Sequence, residues 1–299
     1  MTRLVLICTL LASGANAQEI AITFDDAPTA DGPLFSGEER TQRIIEQLRI
    51  HEVTQVAFFV ITGNINAAKQ QRLISYTKAG HLLANHSHTH PAIGQVGVAS
   101  FIRDVATADS ILASYPGYNK WFRYPFLNEG GTELARDSIR AALKRLHLSN
   151  GYVTIDNYDW YLNHLLQVAK EAHRKIDEGK LRKIYIDHIY SSILFYDKIA
   201  RTHLGRSPKH VLLLHENDLS ALFVGDLIQH LRQNGWKIIS PRESYDDPIA
   251  QIVPDVLFNG QGRVAAIARR RGVPARDLVQ PSEDEEYLER LVAREKVFD

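Results

Sequence analysis

Asp25 and Asp26 stand side by side after the apolar, β-branched run Ile20 to Phe24 and before Ala27 and Pro28. Two carboxylates held close in a partly dry site repel, so one must be protonated, paired or bound to a cation. A cation resolves the conflict if one acid ligates it and the other stays free to move protons. Further along, His86-Ser87-His88-Thr89-His90 sets two imidazoles four apart. On one helical turn His86 and His90 share a face and chelate one ion. With the carboxylate of Asp26 they make two imidazoles and one carboxylate, leaving positions open for water and substrate. That donor set suits Zn²⁺, with Co²⁺, Ni²⁺ or Fe²⁺ as alternatives. His88 points away on a helical turn but toward the ion on an extended strand. The same residues also fit plainer structures: an Asp-Asp-Ala-Pro turn capping a strand, and a solvated loop in a chain with 13 histidines.

The remaining proton-transfer groups are scattered. Asp25 is the candidate base, and Arg123, in Phe122-Arg123-Tyr124-Pro125-Phe126, is the cation that would orient it. His215 follows the apolar run Leu212 to Leu214 and is the candidate general acid. Asp159 is placed to pair with it and keep it protonated near neutral pH.

Composition bounds what these groups can belong to. The 299 residues are 44% hydrophobic and 23% charged, as expected of a globular α/β chain. Thirty-five basic residues balance 35 acidic ones, which excludes the basic footprint of a nucleic-acid binder. Met1-Thr2-Arg3, the apolar Leu4 to Leu11 and the small-residue site Ala15-Asn16-Ala17 read as an export leader over 1–17. A buried N-terminal strand is the alternative. The lone cysteine, Cys8, falls inside the leader, so a mature chain from Gln18 would have no disulfide, thiolate ligand or cysteine nucleophile. No run reaches spanning length, and the expectation is a secreted or periplasmic protein without a transmembrane segment.

Strands and helices must alternate to carry these groups. Hydrophobic periodicity predicts strands over 20–24, 56–60, 81–84, 120–124, 152–155, 210–214 and 236–239. It predicts helices over 38–50, 67–78, 98–113, 132–147, 162–178 and 220–233, with helical character of unset bounds in 182–206. Such alternation gives a parallel sheet, either closed as a barrel or doubly wound. Each polar cluster falls just past the C-terminal end of a strand, and in a parallel barrel those ends share one face. After Pro241 the composition shifts to prolines and opposed charge runs, with a surface helix over 283–295, so residues 241–299 read as an extension packed on an 18–240 domain. Gly260-Gln261-Gly262 mimics a dinucleotide fingerprint but lacks the strand before it and the acid after it, and reads as a turn.

Thr23-Phe24-Asp25-Asp26, His86-Ser87-(x)₂-His90, Arg123-x-Pro125, Asp156-(x)₂-Asp159-Trp160 and Leu212 to His215 stand in the order of five motifs. Over about residues 20–240 the chain resembles the polysaccharide deacetylases, carbohydrate esterase family four. The resemblance implies a distorted (β/α)7-type barrel and metal-dependent removal of N- or O-acetyl groups from an acetylated glycan. It implies Asp25 as base, Asp26, His86 and His90 as metal ligands, Arg123 as partner of the base, Asp159 as partner of the acid and His215 as acid. Trp160 and Leu213 would line the acetyl pocket, and the backbone N–H of Phe126 would meet the oxyanion. Ala27 stands where the family has Gly, and Phe126 where it has Tyr. Two other readings stay open: an inactive carbohydrate-binding protein on the same scaffold, and a hydrolase of non-sugar amides.

Overall fold

In the computed structural model, which describes residues 17–299, the apolar run Ile20 to Phe24 becomes an inner strand of a parallel sheet. The strands are β1 (Gln18–Ala27), β2 (Ala57–Val60), β3 (Leu82–Asn85), β4 (Tyr118–Phe122), β5 (Ser149–Asn150), β6 (His210–His215) and β7 (Trp236–Ile238). Their order is β5-β4-β3-β2-β1-β6, with β7 on the start of β1, and every pairing is parallel. Strands buried on both faces need apolar residues throughout, and β2 (Ala-Phe-Phe-Val) is buried at every position. The leader reading falls on residues 1–17, almost all of them outside the described residues.

The sheet curls toward closure through residues 151–155. Gly151 N–H donates to the carbonyl of Phe122, while Thr154 and Ile155 donate to that of Val211, and Ile155 bridges Leu212. One segment thus joins β4 to β6 and completes a distorted (β/α)7-type barrel. The strand expected over 152–155 is therefore two residues long and lies earlier, at 149–150. The reason is local: Thr154 Oγ1 takes the Val211 N–H at 2.8 Å, so a side chain occupies a ladder position. Gly151 is needed at the crossing, since a Cβ there would lie 2.5 Å from Phe59 Cε1.

The helices are α1 (Gly37–Ile50), α2 (Ala67–Lys78), α3 (Ile93–Val96), α4 (Val98–Leu112), α5 (Glu133–Arg145), α6 (Asp159–Glu171), α7 (Glu178–Leu204), α8 (Asp218–Gln233), α9 (Pro241–Tyr245), α10 (Arg263–Arg270) and α11 (Glu285–Arg294). Their starts follow side-chain chemistry: Ser36, Asn66, Thr132, Asp177 and Asn217 each cap a free N–H of the first turn. The helix expected over 162–178 instead runs from Asp159 to Glu171. It stops because Lys175 and Asp177 pair with Asp299 and Val297, a long-range contact with no local signal. The region 182–206 resolves into the single helix α7, closed by Gly205 at φ 75°. Helix α10 lies against α7, and α11 against α6. At Gly262 a Cβ would sit 2.9 Å from the Val153 carbonyl, so this glycine serves close packing at the start of α10, while Gly260 takes φ 73° in the turn before it. No helix of the described residues is long and apolar enough to cross a membrane.

Candidate active site

In an ordinary strand neighbouring side chains point to opposite faces, so Asp25 and Asp26 could not share a site. The ladder between β1 and β2 pairs Phe24 with Phe58 but Ala27 with Val60, so β1 carries one extra residue. Asp26 takes φ 67° in this bulge. The bulge turns both carboxylates into one cavity at the C-terminal end of the sheet. The strand therefore runs past the acids to Ala27 rather than stopping before them.

His86 and His90 do not share a helical turn, contrary to the spacing argument. They stand on an irregular loop after β3, with φ 72° at Ser87 and 54° at His90. The Asn85 side chain accepts the Ser87 N–H at 2.7 Å, and Ser87 Oγ accepts the His90 N–H at 2.9 Å. These bonds bend the loop until both imidazole Nε2 atoms face Asp26 Oδ1, at 3.5 and 3.6 Å. His88 turns away, its Nδ1 2.8 Å from Thr62 Oγ1.

Asp26, His86 and His90 offer ligand atoms all within 4.8 Å of one another. The donor set fits a divalent cation on three counts. Asp26 Oδ1 is buried without a hydrogen-bond partner. His86 Nδ1 lies 2.9 Å from the Arg123 carbonyl, which as an acceptor requires the proton on Nδ1 and leaves the Nε2 lone pair facing inward. Burial, reinforced by His86, lowers the His90 pKa to about 4, so that imidazole is neutral at pH 7. Burial alone would raise the Asp26 carboxyl, but the surrounding imidazoles of His86, His215 and His90 hold it well below the usual carboxylate range.

The two candidate proton-transfer groups flank this triad. The guanidinium of Arg123, fully buried, donates to Asp25 Oδ1, to Thr23 Oγ1 at 2.9 Å and to the Gly151 carbonyl at 2.8 Å. It also stacks 3.7 Å from the Phe59 ring, which fixes its plane. His215 Nδ1 lies 2.7 Å from Asp159 Oδ1, and the His215 N–H donates to Asp159 Oδ2 at 2.9 Å. Burial draws the His215 pKa down, but the charge of Asp159, its hydrogen bond and the aspartates 26 and 25 push it up to about 10.

Phe126, Trp160 and Leu213 all line the same cavity, which measures about 370 Å³. Phe126 takes φ 57° and Leu127 φ 47°, and the Phe126 ring sits 4.6 Å from that of His90. Asp26, His90, Phe126 and Leu127 are non-glycine residues in the left-handed region, a costly backbone that the barrel concentrates around one cavity. All ten sequence-predicted site residues thus reach one region of the barrel.

Several neighbours carry no local signal. Tyr124, Leu127, Tyr158 and Gly260 join the lining. Asp156 belongs to the fourth motif and also faces the cavity. Tyr245, on α9 beyond the expected domain, accepts from Arg123 Nη2 at 3.1 Å and donates to the Tyr152 carbonyl at 3.2 Å. A buried knot holds the loop after Asp26: Glu216 accepts from Arg72 at 2.6 Å, Tyr76 at 3.0 Å and the Thr29 N–H at 2.7 Å. Nothing local in the sequence signals it, because its members come from three distant parts of the chain.

Comparison with known proteins gives relatives of the sequence and of the fold. A family model described as polysaccharide deacetylase matches residues 12–150. A peptidoglycan-N-acetylglucosamine deacetylase of Bacillus cereus is 26% identical over 147 residues, 48% of this chain and 47% of that protein. A chitooligosaccharide deacetylase of Sinorhizobium fredii is 29% identical over 154 residues, 51% of this chain and 64% of that one. The chain thus spans about half to two thirds of the length of these curated relatives. Among solved structures, a family 4 carbohydrate esterase from Streptomyces lividans in complex with acetate shares the fold. Its TM-score is 0.50 at 21% identity, over 76% of this chain and 95% of that one. So does a pseudoenzyme of the same family from Bacillus anthracis, with TM-score 0.55 at 17% identity over 77% and 66%. The motifs, the relatives and the barrel thus agree in one likeness: the chain is similar to the polysaccharide deacetylases, whose family model matches its residues 12–150.

Proposed function

We propose that the protein is an exported, metal-dependent deacetylase that removes N- or O-linked acetyl groups from a glycan. One observation carries the reading: three ligand atoms within 4.8 Å of one another, flanked by a carboxylate held by Arg123 and an imidazole held by Asp159. Asp26, His86 and His90 would hold the cation, with Zn²⁺ the best match and Co²⁺ or Ni²⁺ acceptable. When bound, such a cation polarises the acetyl carbonyl and lowers the pKa of a water.

The chain's own groups do the rest. Asp25 takes a proton from the attacking water as the new C–O bond forms, and Arg123 keeps its carboxylate aimed. The Phe126 N–H meets the oxygen that gains charge. His215, kept protonated by Asp159, gives its proton to the departing amine or alkoxide as the bond to the acetyl carbon breaks. Acetate and a free sugar amine or hydroxyl result. Trp160 and Leu213 offer an apolar wall for the acetyl methyl.

The catalytic unit in this reading is 18–240, with 1–17 a leader and 241–299 an extension packed on it. The test is acetate release from acetylated chitooligosaccharides, acetylated xylan and peptidoglycan, with and without a chelator. Release that stops on chelation and returns with Zn²⁺ or Co²⁺ supports the reading. Glycan binding without release would leave a binding protein instead.

A further inference from the structure

A second, smaller cavity of about 50 Å³ shares Tyr124 and Leu127 with the catalytic cleft. Four guanidinium groups line it, those of Arg123, Arg136, Arg140 and Arg263, against one carboxylate, Glu129. Three of the four are committed. Arg123 holds Asp25, Arg140 holds Glu129 at 2.7 Å, and Arg136 reaches the exposed Asp137 and Asp255, each at 2.8 Å.

Arg263 is different. It is buried, and among the described residues no carboxylate lies within 4.0 Å of it. Its Nη1 donates to the carbonyls of Ala250 at 2.9 Å and Ile249 at 3.4 Å, and its guanidinium carbon lies 4.0 Å from the Tyr152 ring. Two residues of the lining also carry a polar atom buried without any hydrogen-bond partner, the Tyr124 hydroxyl and Arg136 Nη1. Burial, with the charge of Glu129 added, raises the Tyr124 pKa well above the ordinary phenol value, so the hydroxyl keeps its proton and remains a donor.

A buried cation without a counterion is costly, and buried donors without acceptors are rare in folded proteins. Water would satisfy the donors but leave the charge. A small anion answers both needs. At about 10–15 Å³ per water-sized occupant, the cavity admits roughly three to five non-hydrogen atoms, and acetate has about four.

We propose that this cavity is a binding site for a small monocarboxylate of acetate size, held by Arg263, Arg136 and the Tyr124 hydroxyl. Naming acetate rests on the deacetylation proposed above; the need for an anion does not. The occupant would accept from the donors that the protein leaves unpaired, beside the cleft where acetate would be released.

Equilibrium dialysis of labelled acetate against the EDTA-treated full chain, at constant ionic strength in sodium chloride, tests this without reading activity. Chelation removes any competing metal-bound acetate. One saturable acetate per chain is expected, with Asp26→Ala binding as tightly as the unmodified chain. Tyr124→Phe should weaken it by about threefold or more and Arg263→Met by about tenfold or more. If Arg263→Met fails to fold by circular dichroism, Arg136→Lys takes its place beside Tyr124→Phe. No saturable binding, or binding that survives both substitutions, overturns the proposal. Failure of acetate release from glycans would leave this result unaffected, so the two readings fail separately.

Discussion

Asp25 and His215 are ladder partners: β1 and β6 run parallel with these two residues paired, and the Asp25 carbonyl accepts the Glu216 N–H at 3.0 Å. The proposed base and acid are therefore fixed to each other through backbone hydrogen bonds, not through loops. Each is then aimed by a separate buried partner, Arg123 for the base and Asp159 for the acid.

The acid depends on that partner's charge. Asp159→Asn removes the largest influence raising the His215 pKa, so the protonated form is lost at lower pH. The alkaline limb of the kcat profile should move down in pH, with kcat at neutral pH falling by about 10²-fold or more. A pH–rate series on the variant checks both, and an unmoved limb would remove His215 from the acid's role.

Substitutions at the paired aspartates should separate binding from chemistry. Asp26→Ala should lose the metal and turnover together, because it deletes the carboxylate that both imidazoles face. Asp25→Asn should retain the metal and lose about 10²–10⁴ of the rate. Metal content by elemental analysis beside kcat distinguishes them.

Tyr245 ties the segment after β7, through Arg123, to the proposed base Asp25. Tyr245→Phe deletes its bond to Arg123 Nη2 but keeps the ring packed 4.6 Å from Trp121 and 5.1 Å from Tyr152. A loss of about 1 kcal/mol of stability and about fivefold in kcat, with KM little changed, is expected. Urea unfolding and steady-state kinetics measure the two. Unchanged kcat would limit α9 to a packing role.

Acid should unfold the chain through buried histidines outside the Asp26-His86-His90 cluster. Burial lowers the pKa of His81 and of His188 to about 4. In the unfolded chain each takes up a proton near pH 6.5, so their contribution is complete above that value and is lost as pH falls toward 4. The loss is on the order of 2–3 kcal/mol for each. His188 Nε2 also accepts the Tyr158 N–H at 3.0 Å, a bond that protonation breaks. Unfolding midpoints from pH 7 to 4.5 should fall steeply, and less steeply in His188→Gln.

Much of this was legible in the sequence because it is written locally. Apolar runs of strand length, capping residues such as Thr132 and Asn217, and acids or imidazoles at strand ends require no knowledge of distant chain. That placed β6 before His215 and α2 over residues 67–78, and it put every proposed ligand and proton carrier on one end of a parallel sheet. Tertiary structure decided the rest, because it depends on residues far apart in the chain. The bulge that turns Asp25 and Asp26 the same way exists only in the register of β1 against β2. The setting of the His86 ring by the Arg123 carbonyl, the end of α6 at Glu171 and the reach of Tyr245 to Arg123 likewise come from long-range hydrogen bonds and packing. Spacing four apart suggested a helical turn, but the barrel reached the same convergence of imidazoles through an irregular loop, since only the final positions of the Nε2 atoms matter to an ion.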